Sequence, residues 1–156
     1  MSSKILAITI AIMGIIYIFL IPHDPVGIKI MFKLIPMLLI ILFASVQPPG
    51  LPKSYKTLII LGLFICMLAD GLIYWFIIGL ITFLIGHIVY IFAFRRIKKN
   101  TIPKWAAALL LLYGLIMIIW IAGTLWTEGE FVLVVAVVLY IGVILTMGWH
   151  AFQTGN

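Results

Sequence analysis

Residues Leu58–Phe94 read LIILGLFICMLADGLIYWFIIGLITFLIGHIVYIFAF, and Asp70 is the one formally charged side chain among them. His87 and the thiol of Cys66 are the other reactive groups of note in the run. As one helix it would be about 55 Å long, against a hydrocarbon core of about 30 Å. It must therefore fold back, and the bend is expected near Tyr74–Gly79, where Tyr74, Trp75 and Phe76 suit a membrane interface. An isolated carboxylate in hydrocarbon costs several kcal/mol or takes up a proton. Ionisable groups in membrane spans accordingly face the bundle interior and tend to carry function. Asp70 is thus either chemistry or architecture.

Outward from this run, four more segments reach spanning length, giving six in all. They are roughly Ile5–Ile21, ended by Pro22 and Pro25; Ile28–Val46, closed by Gln47-Pro48-Pro49-Gly50; the two halves of Leu58–Phe94; Pro103–Ala122; and Phe131–His150. Pro103 suits the first turn of a helix, where its missing N–H matters little. Pro22-His23-Asp24-Pro25 is a poor cleavage site, so the first segment reads as a retained helix rather than a signal peptide. No period-2 alternation marks a β-barrel. The expectation is an all-α, polytopic transmembrane bundle of about six helices, forming a single domain over residues 1–156.

Composition agrees. The chain is 66% hydrophobic and 9% charged, with a mean hydropathy of +1.37. A soluble domain of this length is excluded. The net charge is +6, and the basic residues cluster in loops. That pattern fits membrane orientation and anionic headgroups, not nucleic acid. Six spans put both termini on one side. That side carries Lys4, Lys53, Lys56, Arg95, Arg96, Lys98, Lys99 and Lys104, against Lys29 and Lys33 on the other, with Asp24, Glu128 and Glu130. The positive-inside rule then places both termini in the cytoplasm of a cell-membrane protein. A single cysteine excludes an intrachain disulfide. The three histidines are too scattered for a metal signature, no cofactor motif is present, and neither metal nor cofactor is expected. A homo-oligomer is compatible with this composition.

Polar groups inside the spans are the site candidates. Lys33 and Asp70 each fall roughly 8 Å below the outer surface, and His87 roughly 15 Å deep. A Lys33–Asp70 pair would neutralise both charges. Each residue also has a bland reading. Asp70 can be an interhelical polar contact, and Lys33 can snorkel to the interface. His87 and Tyr90 can hydrogen-bond neighbouring helices. Cys66, one turn before Asp70, reads as a small packing residue. Arg95–Lys99 reads as an anchor and topology signal. Gly79, Gly86, Gly114 and Gly142 allow close helix contact.

From here a resemblance takes over. Lys33-Leu34-Ile35-Pro36-Met37-Leu38-Leu39 resembles the lysine-and-proline segment of the second helix in the YhhN, or lysoplasmalogenase, family. Gly62-Leu63-Phe64 followed by Ala69-Asp70 resembles its glycine-rich, aspartate-bearing third helix, with Ala69 where a glycine is usual. Phe83-Leu84-Ile85-Gly86-His87-Ile88-Val89-Tyr90 is similar to its fourth, and Val138-Leu139-Tyr140 with Met147-Gly148-Trp149 to its sixth. Family members typically have eight helices and a second aspartate on a late one. Here six segments are present and no acidic residue follows Glu130. Relative to that pattern the last two helices are missing, and with them the second carboxylate. The resemblance implies an integral membrane hydrolase that cleaves the vinyl ether of lysoplasmalogens to a fatty aldehyde and a glycerophospho-alcohol. It implies catalytic roles for Asp70 and His87, and contacts to a lysophospholipid or other membrane lipid for Lys33 and Tyr90. The competing class is a non-enzymatic bundle that binds lipid headgroups or serves as a small transporter subunit.

Overall fold

The computed structural model describes residues 3–19, 26–47, 50, 52–72, 74–97 and 100–154. Pro22, Asp24, Pro25, Pro48, Pro49, Lys98 and Lys99, all used in the sequence reading, lie outside them. The described residues form six helical rods and no strand. They are α1 (Ser3–Phe19), α2 (Val26–Val46), α3 (Lys53–Gly71), α4 (Phe76–Phe94), α5 (Lys104–Thr127) and α6 (Phe131–Thr154). Five are long and apolar enough to cross a membrane, while α1 is described over a shorter length. The run that had to fold back breaks between the end of α3 at Gly71 and the start of α4 at Phe76, slightly ahead of the expected bend. There the Leu72 N–H still donates to Leu68 O at 3.0 Å, and the Trp75 N–H turns back to Leu72 O at 2.9 Å.

Backbone contacts divide the chain into two compact units, Met1–Val89 and Tyr90–Asn156. In the first, α2 packs against both α1 and α3. The side of α3 turned inward is a column of small residues, Gly62, Cys66 and Ala69, continued by Asp70. Helix α4 meets it through Gly86. A Cβ added there would lie 2.7 Å from Cys66 Sγ and 3.5 Å from Gly62 O, so only glycine permits this approach. Lys56, in the first turn of α3, donates from Nζ to Ser45 O (2.6 Å) and Gln47 O (2.8 Å). These carbonyls at the end of α2 lack intrahelical donors and lie at the negative end of its dipole, which suits a cation.

The second unit is built on the α5–α6 hairpin. Leu145 sits against Gly114 and Leu110 against Gly148, so each helix inserts a leucine where its partner has no side chain. Helix α5 outruns the expected stop at Ala122. Its backbone widens into a π-turn over Ile118–Ala122 and then resumes α geometry over Gly123–Thr127. It ends at Gly129, whose φ of 79° is a conformation that favours glycine. The Gly129 N–H bonds to Trp126 O (3.2 Å) and the Glu130 N–H to Leu125 O (3.0 Å), the paired bonds of a Schellman stop. Trp126 and Phe131 meet edge-to-face across this corner, 4.9 Å between ring centres.

The buried residues are mostly small, such as Ala69, Ala93 and Ala106, while Phe19, Trp120 and Val132 stand outward. A soluble protein would reverse that distribution. In lipid, small residues let helices approach and large apolar ones meet acyl chains.

Candidate functional site

Within the first unit, α2 contributes Lys33 and α3 contributes Asp70. Pro36, three positions after Lys33, has no N–H to give the Phe32 carbonyl one turn below. The ordinary ladder of α2 is therefore interrupted beside the lysine. Asp70 lies in the last turn of α3, on its inward side, and is 7% exposed. A carboxylate at a helix C-terminus faces the negative end of the dipole, an arrangement that costs about 0.3–1 kcal/mol. Asp70 is thus not there to stabilise its own helix.

Its compensation is Lys33, whose Nζ lies 2.6 Å from Asp70 Oδ1. The pair joins residues 37 positions apart and brings together two of the four site residues expected from sequence. The lysine side chain is 29% exposed and the aspartate side chain 10%, so the cation lies on the more open side. The geometry places a cation able to meet an anionic group above a carboxylate held in apolar surroundings.

His87 follows Gly86, the contact point of α4 on α3. Cys66 opposite Gly86 is one turn before Asp70, so His87 lies about 7 Å along the helix axis from the level of Asp70. Its Nδ1 is 2.7 Å from Phe83 O, and since a carbonyl only accepts, Nδ1 carries the proton. In the neutral ring Nε2 is then the proton-accepting nitrogen. The Phe83 ring lies 6.2 Å from the imidazole, centre to centre. Tyr90, the fourth expected residue, is half-buried and belongs to the second unit. Among the described residues, no buried side-chain nitrogen or oxygen is left unsatisfied.

The YhhN family pattern matches residues 28–156, more than four fifths of the chain. The chain belongs to the YhhN family. Every candidate residue named above lies inside the matched region of this YhhN protein, whereas α1 precedes it. Searches of curated proteins and of solved structures return no match.

Two features of the first unit escaped the sequence reading. Lys56 counted only as one positive charge among eight, yet it closes the end of α2. Its partners are backbone carbonyls, which leave no mark in a sequence. The Cys66–Gly86 seat was legible only as two small residues on separate segments.

Proposed function

We propose that this YhhN membrane protein hydrolyses the vinyl ether of lysoplasmalogens, releasing a fatty aldehyde and a glycerophospho-alcohol. The observation that carries the reading is the Lys33–Asp70 ion pair at 2.6 Å, set between the apolar helices α2 and α3. In this scheme the lipid phosphate takes the Lys33 ammonium, and Asp70, released from its counter-ion and protonated, acts as general acid. Its proton goes to the vinyl carbon remote from oxygen, leaving an oxocarbenium ion and a carboxylate to stabilise it. Water adds to the carbon bearing oxygen, giving up a proton to His87 Nε2. The hemiacetal hydroxyl then returns a proton to the Asp70 carboxylate as its bond to the glyceryl oxygen breaks, the departing alkoxide takes the proton held by His87, and alcohol and aldehyde separate. The assignment of Tyr90 to lipid binding rests on the family resemblance alone.

A run in oxygen-18 water tests the reaction. The scheme expects the glycerophospho-alcohol to remain unlabelled, because water attacks the aldehyde carbon. Label in the alcohol would exclude it. The second reading, a non-enzymatic lipid-binding bundle, is favoured by the closeness of the ion pair, which can serve packing alone. Lysophospholipid recovered intact with the purified protein, with no aldehyde formed, would establish that reading instead.

A further inference from the structure

The second unit carries a charged end that the proposed reaction does not use. Arg95 and Arg96 follow the last turn of α4, and Lys104 opens α5; all three are exposed. Lys98 and Lys99 add two more positive charges by sequence. The connecting segment is held by a backbone bond, with the Asn100 N–H donating to Gln153 O at 2.7 Å in the last turn of α6. Arg96 and Lys104 are each four positions from Asn100, so each lies within about 14 Å of that anchor. The unit's acidic side chains, Glu128 and Glu130, lie at the opposite end of the hairpin, some 35 Å away along α5. Among the described residues of this unit, no Asp or Glu side chain is therefore placed to neutralise the basic end. Trp105, adjoining Lys104, is 66% exposed, and a tryptophan at that level suits the boundary between acyl chains and headgroups.

We infer that this end of the α5–α6 hairpin is a binding surface for the phosphate headgroups of anionic phospholipids in the adjacent leaflet. Arg95, Arg96 and Lys104 form its cationic face, and Trp105 sets its depth. Clustered basic residues beside a spanning helix gain attraction from an anionic surface in this way. Backbone anchoring of the segment reduces the ordering needed on binding.

The test reconstitutes the full chain in phosphatidylcholine vesicles containing spin-labelled phosphatidylglycerol or spin-labelled phosphatidylcholine. The motionally restricted fraction of each is read by electron paramagnetic resonance. The wild type is expected to prefer phosphatidylglycerol severalfold. Arg95→Gln/Arg96→Gln/Lys104→Gln is expected to lower that preference at least about threefold, and Glu128→Gln/Glu130→Gln to leave it unchanged. Should the triple variant not fold, Lys104→Gln alone must lower the preference while Arg95→Lys/Arg96→Lys keeps it. Equal restriction of both lipids in the wild type, or an undiminished preference in the neutralised variant, overturns the inference. So does loss of the preference in millimolar inorganic phosphate but not in sodium chloride of equal ionic strength, which would mark a site for free phosphate.

Discussion

A carboxylate in the last turn of α3 opposes the dipole of its own helix, and the ion pair with Lys33 offsets that cost. Removing one member of a buried pair strands the other, at about 3 kcal/mol where one side chain is partly open. Lys33→Met should therefore destabilise the first unit by about that amount. Adding Asp70→Leu should recover most of it, because no charge is then left in apolar surroundings. Chemical unfolding of the two variants in the same detergent checks the expectation; equal loss in both would show that the pair is not coupled. Sequence made these two residues visible because a charge in a long apolar run is conspicuous and the estimated depths matched. The tautomer of His87 was not visible, since it depends on the Phe83 carbonyl one turn away.

Packing of the elements depends on where side chains are absent. At Gly86 a methyl group would collide with Cys66 Sγ at 2.7 Å. Gly86→Ala should cost about 1–3 kcal/mol by overpacking, and Cys66→Ala in the same chain should relieve it. A thermal-shift comparison tests this, and no relief in the double variant would place the strain elsewhere. At the other end of α3, Lys56→Met should expose the Ser45 and Gln47 carbonyls. The expected loss is about 1.5–3 kcal/mol, the range for a charge-assisted hydrogen bond, with faster amide exchange confined to the last turn of α2. Helix number and order were readable from hydropathy because each run had to cover the hydrocarbon core. Helix ends were less readable. The α5 segment was expected to end near Ala122, but the π-turn there carries the helix on to the Schellman bonds at Gly129.

On the scale of the whole molecule, eight basic residues face two across the expected spans, which is our reason for placing both termini in the cytoplasm. Single cysteines at Lys104 and Glu128, in a Cys66→Ala background, should label from the cytoplasmic and outer sides of intact cells respectively. Labelling from one side would refute that topology. The chain's membership of the YhhN family joins this frame to the pair inside it, and the proposed chemistry needs both. The most direct measurement is aldehyde release from a lysoplasmalogen by the purified chain, wild type beside Asp70→Asn. The account predicts release by the wild type and a loss of about 10²–10⁴ in rate in the variant, with helix content unchanged. Equal rates in the two proteins, or no release by a folded wild type, would contradict it.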